Sequence, residues 1–247
     1  MLFWRGFFYH SPGLCPRLAH ALHWTQHQLH LVSLVANLEI QPYLFTFGPE
    51  NQILDKLNLH FKNKEKPYSG CFLISDPFEN DAFFERSLVF LCEHNNEGSF
   101  GFVLNNPLDL GLSTLLNSDE FPEDPVYVGG PVAANQLFYL HDAKEPMGEY
   151  FDCENGIYFS GDIDNLKEQF VRHKGLPFHT KFFIGYSGWS AGQLEGEIES
   201  LAWIVAKNIP MDFIFETETT SLWRKCMELQ GPKFSMIAKF PKNPQEN

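Results

Sequence analysis

FFIGYSGWSAGQLEGE, residues 182–197, is the stretch from which the fold can be read. It holds four aromatic residues and four glycines, with an apolar run leading in and helical spacing leading out. Residues 180–186 therefore read as a buried strand and 187–190 as a tight glycine turn. Residues 191–200 read as a helix with Leu194, Ile198 and Leu201 on one face. A junction of this kind can build a site or only a corner. Gly185-Tyr186-Ser187-Gly188 approaches the nucleophile elbow G-x-S-x-G, but position 189 is Trp and no histidine follows His179, so the serine-hydrolase reading fails. A phosphate cradle on free backbone N–H groups lacks its lysine, and Glu195 and Glu197 already supply negative charge to the first helical turns. Close packing of Tyr186 and Trp189 around small residues accounts for the motif best.

Working outward, residues 71–74 form a short apolar run closed by Ser75, Asp76 and Pro77, and 80–86 read as a short helical or irregular crossing. Residues 87–94 and 100–104 flank Asn95-Asn96-Glu97-Gly98 and read as a β-hairpin that Asn105-Asn106-Pro107 ends. A short helix at 112–116 precedes an acidic loop, and the strand 126–128 is halted by Gly129-Gly130-Pro131. Further strands fall at 136–141, 156–160 and 203–206. Asp162 or Asp164 can cap a helix to 173, with Ile163, Leu166, Phe170 and Val171 at helical spacing. A last helix from 219 turns Leu222, Trp223, Cys226 and Leu229 inward, and the chain frays after Gly231 and Pro232. Strands cluster early and helices are late and few, which predicts an α+β fold on a mostly antiparallel, strongly bent sheet.

Charge and cysteine content narrow the function classes. Eighteen basic against thirty-one acidic residues leave a net charge of -13, which repels phosphate backbones and disfavours direct nucleic-acid binding. Five cysteines with no CxxC pair write neither a disulfide framework nor a zinc site, so no metal is assigned and a reducing cytoplasm is expected. The first sixty residues carry six of the ten histidines and equal numbers of acidic and basic residues, so the charge imbalance lies beyond them. Polar interruptions rule out a membrane span there, and the order of a signal peptide is missing. Residues 1–65 are expected to be a poorly ordered extension or the product of an upstream start, with the true start near 53–56 and a single domain over 66–247.

Five motifs in order carry a resemblance: GCFLISDP (70–77), FERSLVFLCEHNNEGSFGFVLN (84–105), VYVGGPV (126–132), YFSGD (158–162) and GYSGWSAGQLEGEI (185–198). Together they resemble the AlgH/YqgE family of bacterial proteins, also called UPF0301, over the chain from about residue 66 onward. The resemblance implies a bent, bifurcated sheet forming a pseudo-barrel flanked by a few helices. It also implies a cytoplasmic protein often labelled a transcriptional regulator, with no settled catalytic activity and no demonstrated DNA-binding surface. The family usually reads Asn-Arg-Pro where this chain has Asn105-Asn106-Pro107, which removes any anion contact such an arginine would make.

The expected ligand- or partner-binding region is the place where the glycine corners meet: Arg86, Asn105, Gly129, Gly130, Tyr186, Gly188, Trp189 and Gln193. Arg86, just ahead of an apolar strand, suits an anion or partner contact or a buried ion pair with a carboxylate such as Asp76. Cys92 and His94, two apart on a strand, should share a face and could form a thiol-based redox sensor, against which an apolar central strand favours an inert thiol. No catalytic residue and no cofactor is assigned. The reading that results is a regulator acting through an unidentified protein partner or small ligand; the alternative is an enzyme of unrecognised type.

Overall fold

The computed structural model describes residues 65–77, 83–121, 123–144 and 148–240, so the amino-terminal extension lies outside the described residues except for Glu65. Ten strands of the described residues join one sheet in the order β10-β1-β2-β3-β9-β6-β8-β7, with β4 paired to β5 and β5 to β9. They are β1 (Phe72–Ser75), β2 (Leu88–Asn95), β3 (Gly98–Val103), β4 (Pro107–Gly111), β5 (Pro125–Val128), β6 (Val132–His141), β7 (Phe151–Asp152), β8 (Tyr158–Ser160), β9 (Thr180–Ser190) and β10 (Trp203–Val205). Every pairing is antiparallel except that of β5 with β9. The α-helices of the described residues are α1 (Leu112–Leu116), α2 (Ile163–His173), α3 (Gln193–Glu199), α4 (Leu222–Leu229) and α5 (Pro232–Ile237). This is the α+β fold on a mostly antiparallel sheet that the order of elements predicts, forked as the family resemblance implies, and the sheet does not close.

The fork lies in the GYSGW stretch. β9 does not turn at 187–190; it runs unbroken to Ser190, and the chain reverses only at Ala191 and Gly192. Its first half pairs with β6 on one edge and β5 on the other, while residues 187–190 pair with β3. β3 and β5 thus diverge from one strand, and Gly129 sits in the crotch. Its N–H donates to Ile184 O at 2.8 Å, and its carbonyl accepts from Val103 N–H at 2.9 Å and from Ser187 Oγ at 3.1 Å. Gly130 lies so close that a Cβ there would stand 2.0 Å from the Tyr186 carbonyl carbon, and Gly185 takes a φ of +66° with its missing Cβ 2.4 Å from Gly130 O. These glycines serve backbone approach, not reversal, which is why a turn reading of the same letters fails.

Because both faces of β9 are covered, it reads as a continuous apolar run. Phe183 and Tyr186 enter the main core, which α4 and α5 also line. Phe182 and Ile184 enter a second core under α1 and α2, and Trp189 a third beneath α3. Three further expectations are corrected. β4 is an additional strand, set by its pairing to β5 and not by its exposed, polar-flanked sequence. Residues after Gly231 do not fray but form α5, whose Ile237, with Ala238 beyond it, is buried in the main core. Leu229 and Val171 point outward, at 48% and 63% exposure, while Gln169 takes an inward place on α2. Asp162 caps α2, accepting from Asn165 N–H at 3.0 Å.

Candidate functional site

The residues expected to converge separate into three places. Gly129, Gly130 and Tyr186 meet at the fork, where Tyr186 is 1% exposed and the glycines press on β9, so this group is backbone scaffolding. Gly188 lies beside Phe100 in the β3–β9 pairing. Trp189 belongs to the third core, where the buried carboxylate of Glu197 accepts from Trp189 Nε1 (2.7 Å) and Trp203 Nε1 (2.9 Å), and the exposed Gln193 donates to the same carboxylate through Nε2 (2.9 Å). Arg86 and Asn105 stand apart from both and line a cleft of about 570 Å³.

That cleft is built from three chain segments: the turn before β2, the end of β3, and the approach to α4. Arg86 holds a left-handed φ of 51°, uncommon for a side chain of its size. Asn105 locks it there, donating through Nδ2 to Arg86 O and accepting through Oδ1 from Leu88 N–H, both at 2.8 Å. The guanidinium then lies 5.1 Å from the centroid of the Trp223 ring, and Nη2 donates to Phe240 O at 2.6 Å. Trp223 is itself fixed, its indole N–H donating to Ser75 O at 3.2 Å. Among the described residues Arg86 makes no ion pair with Asp76; the aromatic ring and the Phe240 carbonyl take the guanidinium instead. Arg86 Nε is buried without a hydrogen-bond partner among the described residues.

The opposite wall comes from Thr219, Thr220, Ser221 and Arg224 at the start of α4. Ser221 occupies the helix N-cap without a side-chain capping bond, and no acidic residue lies in the first turn. Arg224 is exposed, and neither it nor the Asn106 amide makes a side-chain hydrogen bond or ion pair among the described residues. Burial lowers the pKa of Arg86 from its ordinary value, Glu85 opposing and Arg224 reinforcing the shift. Glu85 is the one carboxylate in the lining. The arrangement offers fixed positive charge and hydrogen-bond donors at a concave surface. Trp223 and Arg224 escaped sequence reasoning as site residues because a tryptophan at helical spacing reads as core and an arginine beside it as solvated surface.

Cys92 and His94 do not share a face. A β-bulge between Leu91 and Glu93 inserts Cys92 as an extra residue, so Glu93 pairs with Phe100 and His94 with Ser99. Cys92 enters the main core at 0% exposure, while His94 turns to the α3 side. Its Nδ1 meets Ser99 Oγ at 2.7 Å and its Nε2 lies 3.7 Å from Glu195. The neighbour of Cys92 is Cys153, whose thiol is pushed well up by burial first and by Cys92 second. No group of three His, Cys, Asp or Glu side chains among the described residues could hold a metal.

A second perturbed cation lies at the start of β9. Lys181 is 3% exposed, its ammonium 4.0 Å from the Tyr127 ring centroid and donating to Glu216 O at 2.6 Å. Burial lowers its pKa to about 7, partly opposed by Glu216. This contact pins the connector that runs from β10 to the cleft wall.

Comparison with known proteins places this geometry. A family model described as AlgH-like matches residues 72–235. A UPF0301 protein of Parabacteroides distasonis is 38% identical over 187 residues, covering 75% of this chain and 94% of that protein. The chain belongs to the AlgH-like family. A UPF0301 protein of Bacteroides fragilis is 35% identical over 186 residues, covering 75% of this chain and 94% of its own length. The solution structure of AlgH from Pseudomonas aeruginosa superposes with a TM-score of 0.58 at 25% identity, covering 73% of this chain and 98% of that one. A crystal structure of a Corynebacterium diphtheriae protein gives 0.60 at 20% identity over 74% of this chain and 96% of its own, a likeness of fold alone. In this AlgH-like chain Asn106 of the Asn-Asn-Pro stretch lies on the cleft lining.

Proposed function

We propose that this AlgH-like protein is a regulator that takes a small molecule into the Arg86 cleft and acts on a protein partner, without turnover of the ligand and without binding DNA itself. The observation that carries the reading is the cleft: a guanidinium held by backbone strain, an aromatic ring and a distant carbonyl, facing donors that have no partner among the described residues. Polar groups fixed at that expense of backbone freedom are the mark of a binding surface. The net charge of -13 opposes a polyanion at long range, yet leaves a short-range cationic pocket open to a small solute. A cytoplasmic setting suits the four free, buried cysteines of the described residues. Among the described residues no helix is long and apolar enough to cross a membrane. In this reading residues 66–247 are the working unit.

Native mass spectrometry of the full chain, purified gently at low salt, is expected to show an adduct of metabolite size that Arg86→Ala loses. A bare protein mass from several expression hosts would remove the reading. Titration with duplex DNA at low salt is expected to show no binding, and saturable binding there would favour a direct DNA-binding protein instead.

A further inference from the structure

We infer that the ligand of this cleft carries a phosphate group, held between Arg86, Arg224 and the first turn of α4, on an organic body that fills the remaining space. The inference rests on the cleft being the ligand site. The lining is biased to donors: two guanidiniums, the Asn106 amide, and the Thr219 and Ser221 hydroxyls, against the single carboxylate of Glu85. Phosphate is the common biological group that accepts from many donors at once through several oxygens. The N-cap of α4 makes no side-chain capping bond and its first turn carries no acid, while just ahead of it the Glu218 carboxylate accepts from Thr220 N–H at 2.9 Å, so the helix end is partly compensated and the two guanidiniums supply the main positive charge. Arg86 is fixed at the cleft wall, its Nη2 held by Phe240 O and its guanidinium 5.1 Å from the Trp223 ring centroid, so its charge is pre-positioned before any ligand arrives.

A phosphate presents three acceptor oxygens, so it can span both guanidiniums and the Asn106 amide more fully than the two oxygens of a carboxylate. The volume of about 570 Å³ far exceeds what inorganic phosphate fills and lies within the range of metabolite pockets, roughly 300–1,000 Å³. Phe83 in the lining gives the organic body an aromatic contact.

The test is an amide-resolved NMR titration of the full chain with adenosine monophosphate and with glucose 6-phosphate, each beside its dephosphorylated counterpart, and with malonate as a carboxylate probe. At low-millimolar concentrations the two phosphorylated probes are expected to shift the amides of Arg86, Asn106, Trp223 and Arg224, and the others not. Arg224→Glu, at an exposed position, should weaken that binding by about tenfold or more, whereas Arg172→Glu on α2 should leave it unchanged. Equal shifts from adenosine, glucose or malonate would overturn the phosphate assignment and leave the cleft as the ligand site. Shifts located elsewhere, or indifference to Arg224→Glu, would overturn it too. No shift from either phosphorylated probe would also end the inference, while the adduct seen or not seen by native mass spectrometry would separately decide the cleft.

Discussion

At the scale of single residues, Arg86 and Lys181 show how the same chemistry serves two ends. Both are cations against aromatic rings with a backbone carbonyl as acceptor, but Arg86 keeps its charge through an intrinsically high pKa and Lys181 does not. The folded pKa of Lys181, about 7, lies below its unfolded value of 10.5. Above pH 7 the folded chain has released a proton that the unfolded chain retains, so this group makes stability rise with pH, by at most about 1.4 kcal/mol per unit. The clean window is from pH 7 to about 8.5, below which both states hold the proton and above which the buried thiols begin to oppose the trend. Urea unfolding across that window is expected to show the rise in the wild type and a flatter line in Lys181→Met. Arg86 was legible in the sequence as a basic residue ahead of an apolar strand. Its partners were not, because Phe240 is 154 positions away and nothing local marks the carbonyl that holds it.

At the scale of elements, glycines were the main source of error and of insight. Gly185 and Gly188 suggested a reversal inside 187–190, whereas β9 continues and the glycines let Gly129 and Gly130 lie against it. The sequence does bring the VGGP and GYSGW stretches into question together, but only the backbone contacts show that their meeting is a fork, with the cleft elsewhere. Gly130→Ala should therefore be among the most damaging of small substitutions, destabilising by more than about 4 kcal/mol, since the added methyl meets main chain that cannot move aside. Loss of soluble, cooperatively melting protein would be the readout, and a melting curve like that of wild type would refute the fork. The β-bulge at Cys92 was equally invisible, because one extra residue leaves no compositional trace yet reverses every later facing. Brief N-ethylmaleimide treatment of native protein followed by peptide mapping is expected to leave Cys71, Cys92, Cys153 and Cys226 unmodified, their thiols being buried. Rapid labelling of Cys92 would revive the redox reading.

At the scale of the whole molecule, one strand belongs to all three cores, so no half of the described fold can be lost alone. Alternating strand letters, turn residues and the order of elements made the α+β class readable, and the long-range pairings that fork the sheet were not, since they join segments such as 126–128 and 182–184 that share no local signal. The shared strand predicts that the change in intrinsic tryptophan fluorescence from Trp189, Trp203 and Trp223, over the signal of Trp4 and Trp24 outside the described residues, and far-ultraviolet circular dichroism will follow a single denaturant transition with one midpoint. Separated midpoints would mean that the arms of the fork melt independently.

The bond from Arg86 to the Phe240 carbonyl ties the cleft to the carboxyl-terminal end of the described chain. Proteolytic trimming into that last turn, or a fusion partner pulling on it, is therefore transmitted to a guanidinium at the mouth of the pocket. Placement of an affinity tag is, for this molecule, a variable of the binding experiment itself.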